Sequence, residues 1–367
     1  MRIVNKWFVS IVGLTCLAGI LVIVLTLWSS SWDLNSLIRV GTRYSEGDIH
    51  GSEGYDGQFN LFIALDPKPD RVRTKLDVPA YRYQRIILPL LARSVAFGDP
   101  KIIPWAIILL PLLGQLMGTI FVYLIMKFYN VPTIYTLVYG LGAGFLLSIR
   151  LALPEPIAFG LVAGALYFYL LKKYPLSYIF MACAFFTKEV TVIFGGALFL
   201  SLLANRKINQ SLLLFLIAFL PFGLFQIWLY CTFGEFGMGS GGAMATSFEV
   251  IPFMGLIRIA KYSLVYFLAM VLTFFPLVIL PSVWGVFVSI KEMLQKNWDP
   301  IGIALLLNSV VMFFLPFSTY RETGGILRFS CGLTLAVLLF SAKFRMEKII
   351  KYTPFWIVYN VFLFKGI

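Results

Sequence analysis

Residues 176–204 read LSYIFMACAFFTKEVTVIFGGALFLSLLA, an apolar run interrupted at its centre by Lys188 and Glu189. About 20 apolar residues suffice to cross a bilayer as a helix, so the run could be one long tilted span. That reading leaves two charges near mid-bilayer, where each costs at least about 2.5 kcal/mol on insertion scales. Two half-length segments that dip in, turn at Lys188-Glu189 and return put both charges at the outer surface instead. The basic residues of the connections decide between the two, because cytoplasmic connections carry the excess of Lys and Arg. With two segments the inner side carries Arg2, Lys6, Lys127, Lys172, Lys173, Arg206, Lys207, Lys291, Lys296, Lys343, Arg345, Lys348 and Lys351, and the outer connections Arg150, Lys188, Arg258, Lys261, Arg321 and Arg328. The single helix inverts everything after Ala204 and throws Lys291 and the cluster from Lys343 to Lys351 outside. The thirteen-to-six bias selects the paired segments.

Working outward, the chain is 367 residues long, 60% hydrophobic and only 13% charged, with a mean hydropathy of +0.88. That composition specifies an all-α polytopic membrane protein with room for about ten spans of roughly 20 residues. Arg2 and Lys6 precede the run 7–28, which is long for a signal-peptide core and lacks a cleavage site, so it reads as an uncleaved first helix with its N-terminus inside. Spans follow at 102–126, 131–149, 157–171, the pair within 176–204, 212–233, 262–290, 301–315, 327–342 and 355–364, about eleven membrane segments with two short and paired. The organisation is a first transmembrane helix (1–28), an outer loop (29–100) and a transmembrane bundle (101–367). The glycine pairs Gly114/Gly118, Gly140/Gly144 and Gly160/Gly164 predict close helix packing.

Several functions are set aside by the same residues. The net charge is +13, yet 29–100 holds nine acidic and nine basic residues, so the excess sits in short connections and no nucleic acid is expected as partner. Cys16, Cys183, Cys231 and Cys331 lie in apolar runs without C-x-x-C spacing and read as buried hydrophobes. His50 is the single histidine, so neither a His-rich metal centre nor any cofactor is expected. Gly237-x-Gly239-x-x-Gly242 follows no strand, and it reads as a glycine-rich outer lid rather than a dinucleotide loop.

The outer loop is the polar island of the chain. Nine of the seventeen acidic residues lie in it: Asp33, Glu46, Asp48, Glu53, Asp56, Asp66, Asp70, Asp77 and Asp99. Residues 61–64 and 86–91 are apolar enough for short helices along the membrane interface, separated by Pro67, Pro69 and Pro79. Four polar clusters converge on the outer face: Asp48 with Asp56, Arg150 with Glu155, Lys188 with Glu189, and Arg321 with Glu322 and Arg328. Ionisable groups at membrane depth are costly and mark function, unless each pair merely ties helices together. Arg321 and Arg328 lie seven residues apart, about two helical turns, on one side of the last outer turn.

Tyr55-Asp56-Gly57-Gln58-Phe59, Ile63-Ala64-Leu65-Asp66-Pro67 and Asp77-x-Pro79-Ala80-Tyr81-Arg82-Tyr83-Gln84-Arg85, with Pro89-Leu90-Leu91-Ala92, together resemble the first outer loop of bacterial GT-C membrane glycosyltransferases linked to cell-surface glycopolymers. The part from Arg82-Tyr83 to Ala92 also resembles the R-Y-x-P-L-L pattern of the GPI-anchor mannosyltransferases. Leu153-Pro154-Glu155-Pro156 is similar to their T-E-P element, with Leu153 departing from the Thr. The resemblance is close over about 45 residues and architectural elsewhere. It implies a GT-C fold, an inverting hexosyl- or pentosyltransferase activity, a polyprenyl-phosphate sugar as donor, a glycan or lipid as acceptor, and an active site on the extracytoplasmic side of the cell membrane. The essential acid falls on Asp56, with Asp48 as second candidate, since the paired D-x-D or D-E of some relatives is absent. Arg82, Arg85, Glu155, Lys188, Glu189, Arg321 and Arg328 are the candidates for holding donor phosphate and substrate. Chemistry agrees: transfer from a sugar phosphate needs a base for the acceptor hydroxyl and cations for the departing phosphate. A lipid-linked sugar flippase or transporter is the alternative, though its polar groups belong near the midplane of two repeated halves, and no internal repeat is present.

Overall fold

A segment in lipid must satisfy its own backbone polar groups, and a helix does so at every residue. The computed structural model describes residues 6–363, and those residues form helices and turns with no strand among them. The helices that position the site are α1 (Lys6–Ser29), α2 (Gly57–Leu65), α3 (Pro79–Tyr83), α4 (Ile87–Val95), α5 (Ile103–Phe128), α6 (Ala143–Arg150), α7 (Glu155–Leu170), α8 (Tyr174–Thr187), α9 (Val192–Ala204), α10 (Ile208–Phe233), α11 (Leu264–Leu294), α12 (Pro300–Phe313) and α13 (Thr323–Lys343). Among the described residues five helices (α1, α5, α10, α11 and α13) are long and apolar enough to cross a membrane, and the pair Thr133–Gly140 and α6, bent by 42°, makes six. The chain is an all-α membrane protein. Four shorter apolar helices, Glu155–Leu170, Tyr174–Thr187, Glu189–Ala204 and Pro300–Phe313, complete the bundle.

The run 176–204 breaks where its charges are. Lys188 is extended at φ −158°, ψ 121°, which ends α8. A Cβ built on Gly195 would overlap the Phe185 ring. In one continuous helix those positions would stand about 15 Å apart, so α9 folds back along α8. Polar contacts fix which ends meet. Ser177 Oγ donates to Ala165 O at 2.8 Å, Ser201 Oγ donates to Trp298 O at 2.6 Å, and Lys343 pairs with Asp299. Lys172, Lys173, Arg206, Lys207, Lys296 and Lys343 therefore gather at one end of the bundle. The first turns of α7 and α13, the end of α8 and the helices of the outer loop meet at the other. Arg2 lies outside the described residues, as does Phe364 at the end of the last expected span. Cysteine placed at 322, exposed at the end where Lys188 lies, in a Cys-free background is expected to react with an impermeant reagent from outside, and cysteine at 206 only after permeabilisation. Equal outside labelling of both would sink this orientation.

The glycine pairs act as expected. A Cβ on Gly114 would come within 2.6 Å of Ile157 Cα, and one on Gly160 within 2.7 Å of Gly114 O, so α5 and α7 touch backbone to backbone. Three readings change. The span expected at 131–149 is split at Leu141-Gly142, and Asn360 Nδ2 satisfies Leu141 O at 2.8 Å. The stretch expected as a last span is a pair of short turns, Phe355–Val358 and Tyr359–Phe362, too short for one crossing. In the outer loop, α4 turns Leu90, Leu91 and Val95 outward as an interfacial helix should. Yet α2 is buried from Gly57 to Ala64 against α4 and α5, inside the bundle rather than on its surface. Phe59, Leu61, Phe62 and Ile63 are all buried, and the two amides among them are satisfied inside, Gln58 accepting from Gly41 N at 3.0 Å and Asn60 Nδ2 donating to Ala152 O at 3.4 Å.

Candidate active site

Asp56 stands just before α2, and its position depends on Gly57. A Cβ there would lie 2.5 Å from Leu151 O, so the bare glycine lets the loop press against the connection from α6 to α7. Pro79 opens α3 at a position where no backbone N–H is needed. That short turn presents Arg82 and, just beyond it, Arg85. Arg82 grips Asp77 through Nε and Nη2, both at 2.7 Å, and reaches Asp56 Oδ1 with Nη1 at 2.9 Å. From α13, Arg328 Nη1 donates to Asp56 Oδ2 at 3.2 Å and lies 3.7 Å from Glu155 Oε1. Lys188 Nζ holds that same Glu155 oxygen at 2.6 Å, and Arg85 forms a two-pronged pair with Glu189 at 2.8 and 2.6 Å. Four carboxylates and four cations thus cancel. Aromatic rings seat the guanidiniums: Phe59 lies 4.3 Å from Arg82, Tyr81 4.2 Å from Arg85 and Tyr55 5.2 Å from Arg328.

Glu155 is fully buried, whereas the Asp56 side chain keeps 27% of its surface. Two hollows account for that exposure. An open outer cleft of about 320 Å³ is lined by Asp56, Arg82, Arg321 and Arg328 and roofed by the segment from Gly242 to Ala245. An enclosed inner cavity of about 40 Å³ has a charged roof of Asp56, Arg85, Glu155, Lys188 and Arg328 and an apolar floor of Phe159, Val190, Ile193, Val311 and Met312. Asp56, Tyr81, Arg328 and Phe329 line both and form the partition between them. Glu155 Oε2 and Arg328 Nε are buried there without a hydrogen-bond partner among the described residues.

Burial pushes the Asp56 carboxyl up, but Arg82 and Arg328 outweigh it and hold the group below the ordinary carboxylate range. Asp77 is lowered too, because the Arg82 hydrogen bond overcomes its burial. Asp56 is therefore ionised at neutral pH, and weakly basic while both guanidiniums rest on it. A depressed folded pKa adds stability above the unfolded value near 3.9, lost as pH falls through the folded value.

Of the residues expected from sequence, Asp56, Arg82, Arg85, Glu155, Lys188, Glu189 and Arg328 converge. Asp48 does not: it is exposed, accepts from His50 N at 3.0 Å in a local turn, and lines neither hollow. Arg321 lines the outer cleft but makes no ion pair among the described residues. The expected pairings are exchanged. Lys188 holds Glu155 rather than Glu189, Arg150 donates to Leu363 O, and Arg328 takes Asp56 and Glu155 in place of Glu322. Asp77 and Asn308 were not singled out. Asp77 stands five residues before Arg82 across Pro79, and Asn308, the one amide in α12, lines the inner cavity. The glycine-rich segment folds over the cleft, with Ala243 N donating to Asp77 Oδ2 at 3.1 Å and Gln84 Nε2 to Gly237 O at 2.9 Å. Asp56 and Glu155 are tied by Arg328, and no third His, Cys, Asp or Glu among the described residues completes a metal-holding set with them. Comparisons with protein-family models, curated proteins and solved structures find no match to the chain.

Proposed function

We propose that the chain is a GT-C-type membrane glycosyltransferase of about ten membrane segments, the stretch expected as the eleventh being too short to cross. In this reading it moves a sugar from a polyprenyl-phosphate donor to a glycan or lipid acceptor on the extracytoplasmic side of the cell membrane. The observation that carries it is Asp56 at the partition between an open cleft and a cavity with charged roof and apolar floor. Such a cavity suits the junction of a lipid phosphate with its first isoprene carbons, and the open cleft suits a hydroxyl acceptor. The phosphate draws Arg328, Arg85 and Lys188 off their carboxylates and leaves Asp56 more basic as the acceptor arrives. The acceptor oxygen then attacks the anomeric carbon opposite the phosphate, its proton passes to Asp56, and the bond from that carbon to the phosphate oxygen breaks with the electron pair on the phosphate. The cations stabilise that charge.

The partition would equally serve a flippase as a gate, so the test must separate the two. Purified protein in nanodiscs, given labelled polyprenyl-phosphate sugars and membrane lipid extract, is expected to transfer label to an acceptor. Label that crosses proteoliposome membranes without forming product would support the flippase instead.

Arg328→Ala is expected to weaken donor binding by about tenfold or more, since charge-assisted hydrogen bonds contribute roughly 1.5–3 kcal/mol. Arg328→Lys should rescue little, because a lysine lacks the planar fork. Arg321→Ala removes no ion pair and should weaken binding less. Titration with unlabelled polyprenyl phosphate checks this; intact affinity in Arg328→Ala would assign the phosphate to Arg85 and Lys188 alone. The pH dependence follows from Asp56. Because its pKa is depressed, kcat/KM should show no acid limb from it between about pH 5 and 8, and Arg328→Gln should move that limb upward. A wild-type acid limb near about pH 6 would point to another base.

A further inference from the structure

A third hollow of about 330 Å³ lies on the outer surface, lined by Asp33, Asn35, Ser36, Arg39, Ser52 and Gly54 among others. Gly54 also lines the cleft that holds Asp56, so the two hollows meet there. Gly54 is a low sill by necessity. Its φ is +69°, and a Cβ would come within 2.6 Å of Arg39 O and Gly41 N, so any side chain there would be strained as well as obstructive. The wall beneath is built around Gln58, which is fully buried, accepts from Gly41 N at 3.0 Å and donates to Glu53 O at 2.7 Å. Tyr55 N donates to Arg39 O at 2.9 Å.

The two charges that line this hollow, Asp33 and Arg39, do not pair with each other as the charges of the site do. Asp33 is occupied locally, accepting from Asn35 N, Ser36 N and Ser36 Oγ. The Arg39 guanidinium forms no hydrogen bond or ion pair among the described residues and rests 6.0 Å from the Tyr55 ring, whose neighbour in sequence is Asp56. One open guanidinium, an amide and a hydroxyl at the rim of a cleft match a saccharide that carries an anionic group.

Resting on the transferase reading above, we infer that this hollow is the acceptor subsite: a phosphate- or carboxylate-bearing saccharide lies across Gly54 with its anion on Arg39 and a hydroxyl at Asp56. Arg39 contributes charge and a bidentate fork, and Asn35 and Ser52 contribute hydrogen bonds to hydroxyls.

The test uses full-length protein in nanodiscs and two probes, maltotriose with one phosphate monoester and unmodified maltotriose, with binding read by saturation-transfer NMR. The phosphorylated probe is expected to bind at least tenfold more tightly. Arg39→Ala should abolish that preference, Arg39→Lys should restore part of it, and Asn35→Asp, an exposed change that cannot disturb folding through the core, should weaken it by charge repulsion. In the transfer assay Arg39→Ala and Asn35→Asp should raise the extract concentration for half-maximal transfer by about tenfold. Equal binding of both probes, or wild-type extract dependence in both variants with transfer intact, overturns the subsite and leaves the transferase reading standing. Arg39-dependent binding with no transfer by the wild type overturns that reading and the acceptor role with it.

Discussion

Asp56→Asn is expected to slow sugar transfer by about 10²- to 10⁴-fold, the usual contribution of a positioned general base. The amide keeps the size of the side chain and can still face Arg82 and Arg328, so folding and expression should persist. What it removes is the proton acceptor and one negative charge from a network of four carboxylates and four cations. The surplus positive charge makes a second signature: affinity for polyprenyl phosphate should hold or rise while turnover collapses. A merely structural aspartate would instead lose both together. Asp48→Asn changes an exposed turn and should leave transfer within a few-fold of wild type. The reverse outcome, a dead Asp48→Asn beside an active Asp56→Asn, would move the base to Asp48.

Lys188→Met is expected to cost about 3–5 kcal/mol of stability, because it strands the fully buried Glu155 without its nearest cation. Arg328 stays 3.7 Å away but already serves Asp56. Adding Glu155→Gln to Lys188→Met should recover most of the loss, since a neutral pair needs no counterion. Thermal unfolding in detergent of the two single variants and the double variant gives the coupling. Additive losses would mean that Lys188 stabilises the turn between α8 and α9 by some other route.

Sequence carried the membrane class and the break at Lys188, because both follow from the cost of placing charge in lipid. It also marked seven residues of the charged network: Asp56, Glu155, Lys188, Glu189 and Arg328 because such groups at membrane depth are too expensive to be incidental, and Arg82 and Arg85 through the resemblance of the outer loop. Partner choice was not legible. Glu155 lies 33 residues from Lys188 and Arg328 lies 272 from Asp56, and which carboxylate meets which cation depends on how helices stack in three dimensions. Neighbours in sequence, such as Lys188 with Glu189 or Arg321 with Glu322, were natural guesses that the fold declines. The burial of α2 was missed for a related reason: four apolar residues in a polar loop look the same whether they float on the interface or plug a bundle. The role of Asp77 was hidden by Pro79, which starts a new turn and swings Arg82 back onto a carboxylate five residues earlier.

The four short helices around the site have a consequence for the bilayer itself. At 1.5 Å per residue a helix of 13 to 16 residues covers only about 20–24 Å, against a hydrocarbon thickness of about 30 Å. A membrane meeting such a patch thins or draws its headgroups inward. On the transferase reading proposed above, the leaflet beside the site would dip toward Lys188 and Glu155, and a lipid phosphate would reach the charged roof without being lifted out of its own layer.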